Sequence, residues 1–410
     1  MSEYQKAFKF RLYPTKEQEV LLIKTFGCVR FVWNKRVETF NNWNNAVIIE
    51  DKTIKEMKQE FNFLGEIPYN ALDQKLQDWR ATKSQFFNKK RKTKLGRPKF
   101  KSKHNKQSFR LSYSGFSIKN NKIFASKIGE LKLVGHDLSS LPLKTCKQIT
   151  ISKEFTNKYY CSVLLTINIT PKPLTGKMIG IDMGLKNLFI LSNGIVIDSP
   201  KFFRNNQTEL KKAQQCLSRK LKGSNNRNKQ RIKVAKVHEK IKNRRNNFLH
   251  EISTTLVTQY DVVCIEDLNV KGMIKNRCLA KSISDASWSS FVSMLDYKSN
   301  WYGKSLVKID RFYPSSKTCS CCGNKLEELK LETRYWECPN CGSKHDRDYN
   351  AANNILLKGF SDLSGLEIEF TGVSEKPVSV ESIDYKCREE ISLFGVNHHL
   401  ASSEKHLELV

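Results

Sequence analysis

Met178-Ile179-Gly180-Ile181-Asp182-Met183-Gly184 is a short apolar run that closes on a carboxylate. A run of this length is expected to form a buried strand. An acid at its end falls at the rim of the sheet, where ligands bind in open α/β folds. Residues 188–192 are apolar again, followed by Asn193-Gly194 and a third run at 195–198. Asn-Gly between two such runs predicts a type I′ hairpin, with φ positive at both central residues. Further outward, basic helices are expected from 204 to about 258, a buried strand at 262–265, a helix from 287 to 303 and a strand at 305–310. Three meandering strands, a helix, a fourth strand and more α/β elements are the order of an RNase H-like domain.

Two more carboxylates stand in comparable places. Glu266 ends the run Val263-Cys264-Ile265-Glu266, and Asp348 lies in His345-Asp346-Arg347-Asp348-Tyr349-Asn350-Ala351-Ala352. Asp348, Ala351, Ala352 and Ile355 share one helix face, which is expected to pack on the sheet and carry the acid to its rim. Hydrolysis of a phosphodiester needs the attacking and leaving oxygens held in line, which two Mg²⁺ ions ~3.5–4 Å apart achieve. Hard cations take oxygen ligands, and three carboxylates supply the charge while leaving sites for water and phosphate. Singly, each acid is ordinary, since an Asp after a strand commonly caps a turn or a helix. Their joint occurrence in this element order points to a metal site.

Cys319-x-x-Cys322 and Cys338-x-x-Cys341 form a second constellation. The span between them sits at the lower edge of the ~15–20 residues usual for paired zinc knuckles. Four thiolates leave no open position, so a structural Zn²⁺ is expected, with Cys321 a bystander that could substitute for one of them. This ribbon would interrupt the nuclease-like domain.

The chain of 410 residues carries a formal charge of +30. Such an excess is self-repelling and calls for a polyanionic partner, nucleic acid first. Residues 83–110 hold a dozen Lys or Arg and no acid, and residues 201–250 hold sixteen against Glu209 and Glu239. Lys90, Arg91, Arg97, Lys99 and Lys101 in the first block, and Arg231, Arg244 and Arg245 in the second, are the candidate contacts to a phosphate backbone. Trp33, Trp79, Trp288 and Phe312 are candidate stacking faces, yet each lies in an apolar pattern, and core packing is the expectation for all four. No apolar run approaches the ~18–20 residues of a membrane span, and the start lacks a signal peptide, so a cytosolic protein with reduced or metal-bound cysteines is expected.

At the N-terminus Phe8, Phe10 and Leu12 alternate with Lys9 and Arg11, a half-buried strand. Thr15 with Gln18 is a capping box opening a helix to roughly Trp33. A second helix is expected over 71–90, with Leu72, Leu76, Trp79, Phe86 and Phe87 on its apolar face. Short strands between about 109 and 167, broken by Asn-Asn and Gly turns, suggest a small β-barrel. After residue 360 the chain turns acidic and loses periodicity.

Taken together, Lys9-Phe10-Arg11-Leu12-Tyr13-Pro14-Thr15, Gly96-Arg97-Pro98-Lys99-Phe100-Lys101, Gly180-Ile181-Asp182-Met183-Gly184, Ile265-Glu266-Asp267-Leu268, Ser315-Ser316-Lys317-Thr318-Cys319 and Asp346-Arg347-Asp348-Tyr349-Asn350-Ala351-Ala352 resemble the TnpB family. These are insertion-sequence nucleases related to type V CRISPR effectors, and the match spans roughly residues 6–358. The resemblance implies an α/β multidomain protein: a wedge β-barrel (1–13 and 96–172), a helical recognition insert (14–95), a RuvC-like RNase H-fold nuclease (176–314 and 343–358), a zinc ribbon (315–342) and a weakly ordered acidic tail (359–410). It implies a guide RNA from the transposon end, a double-stranded DNA target, and a short duplex motif read by the protein. Asp182, Glu266 and Asp348 would hold two catalytic Mg²⁺; Asp348 is taken over Asp346 because it heads the Asp-x-Asn-x-Ala pattern. Arg347 would steady the phosphate. A monomer with its RNA is expected, with a dimer as the open alternative. A catalytically silent guided repressor, a guide-independent RuvC-like resolvase and a transposase acting on its own element are the competing readings.

Overall fold

Alternation of Phe8, Phe10 and Leu12 with charged neighbours produces a long first strand, β1 (Ser2–Tyr13), in the computed structural model of the chain. The structure describes residues 2–42, 52–91, 93, 95–330 and 332–365. These form two compact units, an N-terminal one of Ser2–Asn168 with Cys216–Lys236, and a C-terminal one of Ile169–Gln215 with the chain from Val237.

In the N-terminal unit Thr15 caps α1 (Lys16–Asn41), accepting from the Gln18 N–H while the Gln18 side chain accepts from the Thr15 N–H. The helix runs past the expected end at Trp33 because Arg36, Val37 and Phe40 continue its buried face. After α2 (Ile54–Glu60) comes α3 (Tyr69–Phe87), which buries Leu72, Leu76 and Trp79. Trp79 meets the rings of Trp33 and Phe40 edge-on, at 5.7 and 5.8 Å between centroids. Phe87, expected on the apolar face, is exposed at the helix end. The strands β2 (Gln107–Ser112), β3 (Phe116–Lys119), β4 (Lys122–Ala125), β5 (Gly129–Val134), β6 (Gln148–Lys153) and β7 (Tyr159–Ile169) join β1 in a sheet ordered β2-β6-β7-β1-β5-β4-β3. Its edge strands β2 and β3 are linked by just Tyr113–Gly115. So short a link draws the edges together, and the sheet curls into a nearly closed barrel. Asn120 and Asn121, both at positive φ, make the two-residue turn between β3 and β4.

The C-terminal unit is built on β8 (Met178–Asp182), β9 (Asn187–Leu191), β10 (Val196–Asp198), β11 (Val262–Glu266) and β12 (Ser305–Ile309), ordered β10-β9-β8-β11-β12. The first three strands meander antiparallel, and β8, β11 and β12 run parallel. Between them lie α4 (Phe202–Asn205), α5 (Gln207–Ser218), α6 (Asn225–Gln259), α7 (Val270–Met273), α8 (Ala280–Ala286) and α9 (Trp288–Tyr302). Successive strand residues face opposite ways, so both faces of the sheet are covered. Ile179, Ile181, Val263 and Ile265 pack with Leu256, Phe291 and Leu295 from α6 and α9. Met178, Val262 and Cys264 pack with Ile355 and Leu356 of the last helix, α10 (Arg347–Ser364). A Cβ on Gly180 would lie 2.2 Å from the Ala352 carbonyl oxygen, so glycine lets α10 lie directly on β8. Two short strands, β13 (Tyr335–Glu337) and β14 (Lys344–Asp346), precede α10.

Two expectations are corrected here. The 191–195 turn is not type I′: Gly194 is at φ +87 but Asn193 is not at positive φ. Gly194 N–H donates to Leu191 O and Leu191 N–H to Ile195 O, a three-residue loop with its glycine in the left-handed region. The helix that precedes the tail runs to Ser364, beyond the expected boundary at 359, because Phe360 and Leu363 still pack on the sheet. The rest of the expected tail, from 366, lies outside the described residues. Among the described residues no helix is long and apolar enough to cross a membrane.

Candidate functional site

Asp182 ends β8 and Glu266 ends β11, parallel neighbours with Ile181 opposite Ile265, so both carboxylates leave the sheet at one rim. Asp348 lies in the first turn of α10. Asp346 is the N-cap of that helix, accepting from the N–H of Asp348 and of Tyr349 at 3.0 and 2.9 Å. With Asp346 engaged, Asp348 is the acid whose charge reaches Asp182. Burial first, then the charges of Glu266 and Asp348, push the Asp182 carboxyl up to about 7, while Arg347 pulls the other way. Burial also raises Glu266, against the hydroxyl of Ser315, which donates to Glu266 Oε1 at 2.6 Å.

The helix carrying Asp348 also holds the loop carrying Ser315. Asn354 Nδ2 donates to the carbonyls of Ser315 and Thr318 at 2.7 and 2.6 Å, and Asn350 Nδ2 to Thr318 O at 2.7 Å. Nη1 of Arg334 donates to both oxygens of Asp348, at 3.0 and 2.7 Å. Ser315 and Arg334 were not among the expected site residues. Ser315 opens the stretch Ser315-Ser316-Lys317-Thr318-Cys319 with nothing to single out its hydroxyl, and Arg334 is a lone cation in a charged span with no pattern to mark it. Two acids at one sheet rim, with a third close enough for its charge to bear on Asp182, are a donor set for hard divalent cations.

The cysteine cluster is tighter. Cys319, Cys322, Cys338 and Cys341 place their sulfurs all within 4.8 Å of one another; Cys319, Cys321 and His345 form a second such group. The three carboxylates are set wider. Sulfur pairs Cys319–Cys341 and Cys322–Cys338 are 3.7 and 3.6 Å apart. Tetrahedral Zn²⁺ with bonds of ~2.3 Å needs about 3.8 Å between sulfurs, so the four thiols fit that ion. His345 Nε2 lies 3.0 Å from the Cys319 sulfur, where an N–H would support the thiolate from outside the four. Ser343, through its hydroxyl and backbone, lowers Cys341 to about 6, toward the thiolate a metal takes.

Lys90 and Arg91 follow α3, and Arg97, Lys99 and Lys101 lie in the segment before β2, all exposed. Arg231 and Arg244 are exposed on α6. Arg245 is half-buried and donates to Ser284 O at 3.0 Å, with Asp285 3.9 Å away, which ties it to the protein itself. Trp33, Trp79 and Trp288 are core residues as expected. Phe312 is not: it is 85% exposed. The turn after β12 pins its N–H to Asp310 Oδ1 at 2.7 Å, and the neighbouring Tyr313 takes the inward place.

Residues 151–277 match a family model described as "Probable transposase", and residues 288–355 one described as "Cas12f1-like, TNB domain". Residues 1–45 match a "Helix-turn-helix domain". A Streptomyces pristinaespiralis protein named "Putative RNA-guided DNA endonuclease" is 40% identical over 373 residues, covering 88% of this chain and 91% of its own. An Escherichia coli (strain K12) protein named "Putative RNA-guided DNA endonuclease InsQ" is 29% identical over 407 residues, covering 92% and 98%. A "TnpB-like protein L770" of Acanthamoeba polyphaga mimivirus is 24% identical over 396 residues, covering 86% and 72%.

Proposed function

This chain belongs to the TnpB family, and on that premise we propose that it is an RNA-guided DNA endonuclease of a transposable element, cutting target DNA beside a short motif that the protein reads. One observation carries the reading: Asp182 and Glu266, from distant stretches, end the parallel neighbours β8 and β11 at one rim of the sheet, and Asp348 in the first turn of α10 adds its charge to the burial that raises Asp182. On this reading the C-terminal unit is a RuvC-like RNase H fold. Asp182, Glu266 and Asp348 would hold two Mg²⁺ ions, which supply Lewis acidity and an activated water at the scissile phosphate.

The chain's own residues set up that chemistry. The parallel pair β8 and β11 fixes Asp182 and Glu266 side by side. Ser315 orients Glu266 through its hydroxyl. Asp346 starts α10 so that Asp348 falls in its first turn. Arg334 keeps a cation on Asp348 and is placed to balance negative charge that arrives with a phosphate. The four cysteines would hold one structural Zn²⁺, fastening the ribbon between β12 and α10. Guide pairing supplies sequence specificity in this scheme, and the protein supplies charge and backbone contacts, which a +30 chain has in excess. The exposed Lys90, Arg91, Arg97, Lys99, Lys101, Arg231 and Arg244 are the proposed contacts to RNA and DNA.

The test is a cleavage assay on plasmid DNA carrying the guide-matched target, with Asp182→Ala and Glu266→Ala. Both are expected to abolish cutting, since the site loses a carboxylate that would hold the metal ions, and to keep guide-dependent DNA binding. Cutting by either at the parent rate would end the assignment.

A further inference from the structure

We propose that a basic cavity in the N-terminal unit, walled by α1, α3 and the segment leading into β2, is a cradle for one phosphodiester of a nucleic-acid backbone. It rests on the nucleic-acid reading above and gives it an address. The cavity measures about 190 Å³, and Arg30, Lys75, Lys101 and Lys106 line it over a floor of Phe26 and Val29. A single water needs only ~10–15 Å³ of such space, so a phosphate group with some of its waters is accommodated.

The wall bearing Lys101 is built, not draped. Trp33 Nε1 donates to Lys99 O at 3.0 Å. Asn34 grips the Lys101 backbone from both sides, accepting from its N–H at 2.7 Å and donating to its carbonyl at 3.0 Å. The Lys101 ammonium sits 3.8 Å from the centre of the Trp33 ring. Opposite, Lys75 is a buried lysine on α3. Arg30 is fixed by an uncharged partner, donating to Gln107 Oε1 at 2.6 Å.

Charge is the decisive count. Two carboxylates reach the four cations, and each is already shared. Asp78 binds Lys75 at 2.5 Å and also Arg110. Glu154 binds Lys106 at 2.9 Å and Lys9 at 3.3 Å. Arg30 and Lys101 are left without an ion pair among the described residues. Partial desolvation, then the Lys75 charge, lowers Lys101 to about 8 even though Asp78 pulls the other way, the mark of a cation held against its preference. Like charges gathered here repel one another, and a phosphate placed among them adds an attraction to each cation that offsets that repulsion.

The test uses the full chain, stripped of nucleic acid in high salt and refolding-checked by circular dichroism. Fluorescent single-stranded RNA and double-stranded DNA of arbitrary sequence are titrated in separate arms across a salt series. Lys101→Gln and Arg30→Gln are each expected to weaken binding about 3–10-fold and to make the log–log salt slope shallower by about 0.7–0.9, the value of one phosphate. Lys101→Arg should restore both. If either Gln variant melts early, the other carries the comparison. An effect in the RNA arm alone assigns the phosphate to the guide, and in the DNA arm alone to the target. The cradle is overturned if neither arm changes, or if Lys144→Gln, an exposed lysine outside the cavity, changes binding as much. If the unsubstituted chain binds neither nucleic acid, the broader reading falls along with the cradle.

Discussion

Asp182 is burdened from three directions, by burial and by the charges of Glu266 and Asp348, and its carboxyl rises to about 7. A carboxyl raised in the fold keeps its proton where the unfolded chain, with a value near ~3.9, has released it. The folded state therefore binds more protons across that window, and its stability falls as pH climbs from about 4 through about 7. Asp182→Asn removes this loss. We expect the variant, in chelator, to melt several degrees above the parent at about pH 8, on a scale of about 2–4 °C per kcal/mol for a unit of this size, with the gap closing toward pH 4. Equal melting at both pH values, read by scanning calorimetry, would contradict the electrostatic account. At this scale the three acids were legible because each ends an apolar strand or heads an apolar helix face. Ser315 and Arg334 were not, since their roles exist only through contacts across 49 and 14 positions. Phe312 misled because an aromatic beside Tyr313 continues an apolar run in one dimension; the turn on Asp310 sends the two rings opposite ways.

Among the elements, the cysteine ribbon and α10 act as one piece. β14 pairs with β13, and its last residue, Asp346, is the N-cap from which Asp348 hangs. Thiolates held ~2.3 Å from zinc would therefore fix the start of the helix as well as the ribbon. Elemental analysis by mass spectrometry is expected to find about one zinc per chain. Cys338→Ser should lower that content and reduce cutting at least about tenfold while RNA binding persists. An active, folded chain free of zinc would refute the arrangement. The strands of both sheets were readable from period-two patterns, and the parallel core strands from their unbroken apolar runs. Turn type and helix ends were not. The Asn193-Gly194 hairpin took the longer loop, and α1 outran its expected end because Val37 and Phe40 found partners on α3 that no local pattern announces.

For the whole molecule the governing quantity is its +30 charge, spread over both units. Every phosphate neutralised releases counterions, so binding to RNA should weaken steeply with salt, by about 10³–10⁵ between ~50 and ~200 mM if ~6–10 phosphates are engaged. Protein prepared at low salt is expected to carry an RNA of discrete length, seen on a denaturing gel. A ragged smear of host RNA that protease-free washing removes would favour the unguided resolvase. Net charge was plain in the sequence, but its arrangement was not: the basic run near Lys101 became a walled cavity only through Trp33 and Asn34 on a helix far away in the chain.

The spacing of the three acids has a consequence during synthesis. Asp182 and Glu266 leave the ribosome early, on strands that pair with each other, whereas Asp348 arrives on α10, the last helix described. On the proposed function, the nascent chain is harmless to its host's chromosome until that helix docks against Gly180. A chain ending before residue 348 would lose the third acid and at the same stroke uncover Met178, Val262 and Cys264, so incomplete copies would be both bladeless and unstable.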